Sequence, residues 1–242
     1  MNSRKNILSI IQSKIGSAPL QRKRNDFPYV TLSYAQSVDG SISYRPGRPF
    51  SLSGPESMRM THRLRSLHDG LLVGIGTILA DNPHLTVRNA NGSNPQPIIV
   101  DSRLRFPLDA NVLRYGRPPW IITAPDADAE RERILANAGV SILRVRSYPD
   151  GFIDLPSILK AIRKKGIESL MVEGGASIIT NFLRFRLINQ IVLTLAPVFV
   201  GGIQAVWPLQ FEFSDLPRLI NIDYAMLGQD LVMRADLNWK RS

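Results

Sequence analysis

The sequence predicts an α/β fold with a central, mostly parallel mixed sheet, antiparallel strands at its C-terminal end and helices on both faces. Between residues 71 and 185, short apolar runs alternate with helical segments of about 10–12 residues, the pattern of βαβ units. Beyond Ile188 there is little room for helices, and strand-like segments follow near 190–195, 197–200, 217–223 and 230–236. The sheet is therefore expected to finish with antiparallel strands.

The globular part is expected to begin with a strand at Pro28–Ala35, where Val30, Leu32 and Tyr34 alternate with smaller residues. Apolar runs then predict buried strands at 71–75, 97–101 and 169–172, which need cover on both faces. Further strands are expected at 119–123 and 140–145, with helices at 126–137, 156–165 and 176–185. The glycine- and proline-containing segment Tyr44–Phe50 is expected to be an irregular loop beside a cleft.

An earlier helix is predicted after Ser53-Gly54-Pro55-Glu56, which has the pattern of a capping box. It leads into the apolar strand 71–75, which Gly74 and Gly76 terminate with a turn. Thr77 is then the expected N-cap of the helical turn Ile78–Ala80. A strand that ends in a glycine turn before a helix is typical of an anion site.

Two other interpretations of this junction remain open. A dinucleotide-binding fingerprint would need a third glycine where the sequence has Leu79. A structural turn without any ligand would use the same residues.

A second junction of this kind follows the strand 169–172. Glu173-Gly174-Gly175 precedes a helix that begins at Ala176, so backbone N–H groups can face a pyrophosphate. Glu173 then lies at a strand tip, where it can accept a hydrogen bond from a hydroxyl or move a proton. It can equally be a structural helix-terminal acid. Arg103 and Arg105, after the strand 97–101, are candidates to hold a ribose 2′-phosphate.

Composition limits the classes of function. The 242 residues contain 44% hydrophobic residues, enough for a core, and no cysteine, which excludes disulfides, thiol nucleophiles and zinc sites of the cysteine type. No apolar stretch reaches about 18 residues, so no transmembrane helix is expected. The net charge of +10 suits a phosphorylated ligand, nucleic acid or an acidic membrane surface. Because the basic residues are scattered, a nucleic-acid-binding protein is the weaker, non-enzymatic alternative.

Residues 1–27 carry six basic residues and one acidic residue. Ile7, Leu8, Ile11 and Ile15 fall on one helical face. We expect a basic N-terminal helix and linker ahead of one domain at 28–242; a mitochondrial-type presequence is the alternative.

Five motifs, in this order, resemble the riboflavin-biosynthesis reductases of the RibD C-terminal domain family. They are YAQSVDG (34–40), LRSLHDGLLVGIGTILADNPHLTVR (64–88), PIIVDS (97–102), VEGG (172–175) and APVFVGG (196–202). The resemblance extends from about Pro28 to the C-terminus. It implies a dihydrofolate-reductase-like three-layer fold, in which the two glycine-marked strand tips at Thr77 and Gly175 lie side by side.

The resemblance also implies an activity: NADPH-dependent reduction of the ribosyl group of a ribosylamino-pyrimidine 5′-phosphate to ribityl. Matched position by position, the expected coenzyme contacts are Ala35, Thr77, Asp81, Ser102, Gly174 and Gly175. The expected substrate contacts are Arg65, Leu85, Arg88 and Glu173. Glu173 and Asp39 of the SxDG motif are the catalytic candidates. No metal is expected, and the implied protein is a cytoplasmic homodimer with a small phosphorylated substrate, no nucleic acid and no membrane.

Two departures from the bifunctional bacterial form affect the expected substrate. A cysteine-bearing deaminase domain is absent, and Ser33 stands where many bacterial members have lysine. The segment 31–37 is closer to the stand-alone fungal and archaeal type, which reduces the diamino pyrimidine before deamination. Both the diamino compound and its deaminated counterpart stay open as substrates, and a related reductase of a pterin- or folate-like substrate is the enzymatic alternative.

Overall fold

The computed structural model describes residues 7–21, 26–45, 47–48, 50–149 and 151–239. The strands are β1 (Tyr29–Ser37), β2 (Ser41–Ser43), β3 (Gly70–Gly74), β4 (Gln96–Val100), β5 (Trp120–Thr123), β6 (Ser141–Arg144), β7 (Ser169–Gly174), β8 (Gln190–Ala196), β9 (Ile203–Gln204), β10 (Arg218–Leu227) and β11 (Asp230–Asn238). The helices are α1 (Ile7–Gln21), α2 (Pro55–Ser66), α3 (Ile75–Asp81), α4 (Ala129–Asn137), α5 (Leu155–Lys164) and α6 (Ala176–Arg184).

Nine strands form one sheet in the order β10-β11-β8-β1-β7-β3-β4-β5-β6. All neighbours from β8 to β6 are parallel, whereas β11 is antiparallel to β8 and β10 to β11. The predicted parallel sheet with antiparallel C-terminal strands is therefore confirmed. A separate antiparallel pair, β2 with β9, lies beside it and was not predicted.

Both faces of the sheet are covered because its central strands are apolar on both sides. On β3, Leu72 faces a core shared with α5 and α6, whereas Leu71 and Val73 face a second core with α1, α2 and α4. α5 buries Leu155, Ile158, Leu159 and Ile162, the spacing of an amphipathic helix. The helices thus form the two outer layers of a three-layer fold.

The topology creates a crevice at the carboxyl ends of the strands. After β1 the chain builds β3, β4, β5 and β6 outward, then returns to insert β7 between β1 and β3. In open α/β sheets, ligands bind where the direction of strand addition reverses in this way. The segments that follow β1, β3 and β7 all leave the sheet at this edge.

Some local predictions were wrong. The N-cap of α2 is Gly54 rather than Ser53, and the Gly54 N–H donates to Asp230 Oδ2 at 2.8 Å. A residue distant in sequence thus replaces the expected capping box. Thr77 is not an N-cap either, because α3 begins at Ile75 and Thr77 lies within its first turn. The segment 197–200, expected as a strand, is irregular.

The predicted N-terminal helix packs against the sheet as α1. Ile7 and Ile11 are buried in the second core, and Lys14 Nζ lies 3.0 Å from Asp236 Oδ2 on β11. The expected linker lies partly outside the described residues, at 22–25.

Ile11→Ala is expected to lower the free energy of unfolding by about 2–5 kcal/mol, because the Ile11 side chain is fully buried and its truncation leaves a cavity. Urea denaturation measures this change. Gln12→Ala, one residue further on the solvent side of α1, should stay within about 0.5 kcal/mol of the wild type. Wild-type stability of Ile11→Ala would contradict the docking of α1.

Candidate active site

The two glycine-marked strand tips meet at the carboxyl edge of the sheet. β3 and β7 are parallel neighbours, with Val73 opposite Gly174. A Cβ atom at Gly175 would lie 3.8 Å from the Thr77 hydroxyl oxygen. The juxtaposition of Thr77 and Gly175 predicted from the sequence is therefore confirmed.

A cavity of about 340 Å³ opens between these tips. One wall comes from α3, one from the start of α6, and one from β2 and the loop that follows it. The lining includes Thr77, Asp81, Gly175, Ser177, Arg45 and Arg48. Thr77 and Asp81, one helical turn apart, both face it as expected.

Backbone N–H groups at the start of α6 are available to this cavity. The N-cap is Gly175, which offers no side-chain acceptor, and the N–H groups of the first turn have no intrahelical partner. Gly174, just before, has φ +124°, which is readily accessible only to glycine. The Gly174–Gly175 peptide bond is cis. Since the positive end of the helix dipole lies here as well, the start of α6 is a suitable site for an anion.

Asp81 adds a carboxyl group at the rim of the cavity. The residue is exposed as a whole, but partial burial of its carboxyl group raises its pKa.

An ion pair joins α2 to the tip of β7. Arg65 Nε lies 2.7 Å from Glu173 Oε1, and Arg65 Nη2 lies 2.8 Å from Glu173 Oε2, a bidentate arrangement. Their side chains are only 11% and 16% exposed. Burial alone would lower the pKa of Arg65, but the charge and hydrogen bonds of Glu173 raise it overall. The pair therefore fixes both predicted substrate contacts in one orientation.

The loop 85–88 lies against the same part of α2. Thr86 O accepts a hydrogen bond from Arg65 Nη1 at 3.0 Å and lies 3.1 Å from His62 Nδ1. Leu85 is buried with φ +53°, an uncommon conformation for leucine. Arg88 is exposed, and its guanidinium has no ion-pair partner among the described residues. Arg88 is thus free to bind an anion.

Asp39 is held by four hydrogen bonds. Oδ1 accepts from the Ser37 hydroxyl at 2.7 Å and from Val200 N at 2.8 Å, while Oδ2 accepts from the Ser41 hydroxyl at 2.7 Å and Gly201 N at 2.8 Å. These bonds, led by that from Ser37, hold the pKa of Asp39 well below its ordinary value. The carboxylate joins the turn after β1 to the loop after β8.

Gly202 completes this contact between the two segments. A Cβ atom there would lie 2.1 Å from the Ser43 backbone oxygen, so no side chain fits. The SxDG and APVFVGG motifs therefore meet in space and support each other.

Ser102 lies apart from the first cavity. It lines a second cavity of about 450 Å³ at the ends of β4, β5 and β6, together with Arg103, Asp126 and Tyr148. Arg105, the other candidate for a phosphate contact, is 3.7 Å from the buried Asp101. The Arg103 guanidinium has no such partner within the described part of the chain.

The structure does not bring every predicted contact to a cavity. Ala35, on β1 opposite Thr194, and Gly174 line neither cavity. Neither cavity is lined by the four predicted substrate contacts, Arg65, Leu85, Arg88 and Glu173. His62, Arg45 and Arg48 are site residues that were not predicted from the sequence. His62 precedes Arg65 by three residues on α2, and this spacing could have predicted that the two side chains lie on the same side of the helix. The positions of Arg45 and Arg48 depend on a loop without a regular pattern.

No described helix is both long and apolar enough to cross a membrane. Within the described residues, no group of three or more His, Cys, Asp or Glu side chains is arranged to hold a metal ion.

Relatives of known function are similar over most of the chain. A 2,5-diamino-6-ribosylamino-4(3H)-pyrimidinone 5′-phosphate reductase from Aquifex aeolicus is 41% identical over 180 residues, covering 72% of this chain and 79% of the relative. The solved structure of the riboflavin biosynthesis reductase Rib7 from Saccharomyces cerevisiae superposes with a TM-score of 0.76 at 29% identity, covering 97% of this chain and all of the other.

A dihydrofolate reductase from Enterococcus faecalis, complexed with NADP(H), gives a TM-score of 0.50 at 15% identity, covering 87% of this chain and 96% of the other. This likeness concerns the fold alone and confirms the dihydrofolate-reductase-like architecture. Residues 28–233 match the RibD C-terminal domain family over most of the chain. The chain therefore belongs to the RibD C-terminal domain family.

Proposed function

We propose that this protein is an NADPH-dependent reductase of riboflavin biosynthesis, which converts the ribosyl group of a ribosylamino-pyrimidine 5′-phosphate to ribityl. The observation that carries the proposal is the meeting of Thr77, Gly175 and the Arg65–Glu173 pair at one edge of the sheet. Family membership and the similarity to the Aquifex reductase support the substrate class. The proposal assigns the diamino compound as the preferred substrate, because that relative is named for it.

The residues of the first cavity fit a dinucleotide coenzyme. The start of α6 offers N–H groups to a pyrophosphate, Thr77 offers a hydroxyl, and Arg45 and Arg48 supply positive charge. The side-chain-free backbone at Gly175 leaves room for close approach. When bound, NADPH supplies a hydride equivalent. Ala35 and Gly174, which do not line this cavity, stay predicted contacts.

The Arg65–Glu173 pair and the loop 85–88 are assigned to the substrate. Arg65 occupies both Glu173 oxygens, so the carboxylate offers its remaining lone pairs to sugar hydroxyls. Arg88 is assigned to the 5′-phosphate as a permanently charged fork, and Leu85 to the wall beside it. Reduction adds hydride to C1′ of the ring-opened imine and a proton to its nitrogen, and correct positioning supplies much of the catalysis.

Asp39 is assigned a positioning role. Its carboxylate already accepts four hydrogen bonds, and a group with a strongly lowered pKa is a weak general base. We propose that it holds the loop after β8 against β2. Residues 28–242 are proposed to form the reductase domain, which α1 and the rest of 1–27 extend, and a cytoplasmic location stays a prediction.

A direct assay tests the activity. Purified protein is mixed with NADPH and one of three substrates: the diamino pyrimidine phosphate, its deaminated counterpart or dihydrofolate. The absorbance of NADPH is then followed over time. We expect NADPH to be oxidised in the presence of a pyrimidine phosphate and not in the presence of dihydrofolate. Activity with dihydrofolate alone would establish the related-reductase alternative, and none with any of the three would refute the assignment.

Breaking the ion pair should reduce both turnover and stability. Glu173→Gln leaves the buried Arg65 without a counter-charge, which should cost about 3–5 kcal/mol of unfolding free energy. Arg65→Gln should behave similarly. The double variant should lose less unfolding free energy than the two single variants together, with a coupling energy of about 1–3 kcal/mol. It should nevertheless stay inactive. NADPH affinity should change little in all three.

The exposed Arg133–Glu130 pair on α4 is the matched control. Its side chains are 66% and 62% exposed, and its coupling should stay below about 1 kcal/mol. Wild-type turnover of Glu173→Gln would show that the carboxylate is structural only.

Arg103 should decide the preference for NADPH over NADH. We propose that its unpaired guanidinium binds the 2′-phosphate in the second cavity, beside Ser102. Arg103→Ala should raise the KM for NADPH by about 10- to 100-fold, because one or two charged hydrogen bonds are lost. The KM for NADH should not change. Arg105→Ala, which removes the arginine paired with Asp101, should change neither the KM for NADPH nor the KM for NADH. An unchanged NADPH preference in Arg103→Ala would refute this contact.

The proposed homodimer has a suitable surface on β10. Ile222, Tyr224 and Met226 are 52%, 77% and 61% exposed on this edge strand. Tyr224 pairs with Met233, and Met226 with Leu231, so these four side chains share one face. An exposed apolar sheet face on an edge strand favours association, and a two-fold contact between identical faces closes after two copies.

Tyr224→Asp should therefore weaken dimerisation at least about a hundredfold, since it buries an unpaired carboxylate in the contact. Analytical ultracentrifugation over a concentration series measures this. Leu108→Asp, at a similarly exposed apolar residue away from β10, should leave the dimer intact. A monomeric wild type would contradict the proposed homodimer.

A further inference from the structure

His62 lies beneath the loop that carries the proposed phosphate contact. It is 1% exposed and one turn before Arg65 on α2, so both side chains reach the same loop. His62 Nδ1 lies 3.2 Å from Arg88 N and 3.1 Å from Thr86 O. A single ring nitrogen thus lies within hydrogen-bond distance of a backbone donor and a backbone acceptor.

A neutral imidazole nitrogen either accepts or donates, so it can satisfy only one of these two groups. Thr86 O already accepts a hydrogen bond from Arg65 Nη1 at 3.0 Å. The Arg88 N–H has no other acceptor among the described residues. The arrangement that leaves neither group unpaired places the lone pair of His62 Nδ1 toward Arg88 and the proton on Nε2.

We propose that His62 is a positioning residue for phosphate binding: its unprotonated Nδ1 fixes the Arg88 backbone, and protonation of the ring releases it. This inference rests on the proposed function for the identity of the ligand, but not for the geometry of the loop. The neighbouring Val87 N–H donates to Asn94 Oδ1 at 2.8 Å and holds the other side of the loop. Loss of the His62 contact therefore loosens the Arg88 end first.

The groups that face His62 favour its neutral form at physiological pH. Burial, followed by the charges of Arg65 and Arg88, lowers its pKa, and the Thr86 hydrogen bond and Glu173 oppose this only partly. A lowered pKa means that the contact is intact at neutral pH. It is lost only as the pH falls below the ordinary range of histidine.

Two substitutions separate positioning from simple packing. His62→Phe keeps an aromatic ring but removes the acceptor, and it should raise the KM for the phosphorylated substrate about three- to tenfold, as expected for one neutral hydrogen bond. The turnover number at saturation and the Kd for NADPH should stay close to wild type. His62→Asn places an amide oxygen near the position of Nδ1 and should restore most of the affinity at pH 7.5.

The pH dependence is the decisive comparison. The substrate phosphate itself titrates near pH 6, so every variant will lose some affinity in acid. The wild type should show an additional rise in KM as the pH falls below the ordinary range of histidine, and His62→Asn should lack this rise. His84→Asn, a change in a histidine whose ring makes an edge-to-face contact with Tyr115, should keep the wild-type profile. Superimposable profiles of the wild type and His62→Asn would overturn the proposal.

The tautomer can be measured without substrate. Long-range ¹H–¹⁵N correlation spectra of the ¹⁵N-histidine-labelled protein at pH 7.5 should show His62 as the Nε2–H tautomer, and the Nδ1–H tautomer would refute the proposal. This measurement also decides the matter if His62→Phe fails to fold. If the wild type turns over no pyrimidine phosphate, the proposed function fails. If it is active but His62→Phe has the wild-type KM, the positioning role alone fails.

Discussion

The ion pair between Arg65 and Glu173 is the constraint on which the proposed site depends. It joins the last turn of α2 to the tip of the central strand β7, and Arg65 also holds the backbone of the loop 85–88 through Thr86. A largely buried pair is costly to form unless good geometry and further hydrogen bonds offset the loss of hydration. Here the pair is bidentate, and Arg65 Nη1 also donates to Thr86 O. Such a pair contributes little net stability, and its value lies in fixing the direction of two functional groups. The pair thereby fixes the relative positions of α2, the tip of β7 and the loop 85–88, which are separate segments of the sequence.

The strand order explains why the pair and the cavity are neighbours. β7 is the last parallel strand but one, yet it lies between β1 and β3. Its return to the centre brings the start of α6 next to α3, so that Gly175 and Ser177 line the same cavity as Thr77 and Asp81. Asp39 and Gly202 then hold the turn after β1 against the loop after β8, which closes a further side of the crevice.

The sequence predicted those features that depend on local pattern. Apolar runs located the strands, and the glycines at the ends of β3 and β7 marked the two junctions. Of these glycines, Gly174, with φ +124°, has a conformation that few other residues adopt. The cap of α2 was not predictable from neighbours, because Gly54 N–H is satisfied by Asp230, far along the chain. The pairing of Arg65 with Glu173, across 108 residues, and the contact of His62 with Arg88 depend on tertiary packing in the same way. Family resemblance named most of the site residues, but not how they are connected.

One phosphorylated coenzyme is proposed to span the tips of β3 and β7, and a crystal structure of the protein with NADPH would test this. The pyrophosphate should lie between Thr77 and the first turn of α6, with the 2′-phosphate toward Arg103. A coenzyme bound elsewhere, with the cavity between Thr77 and Gly175 left to solvent, would contradict it.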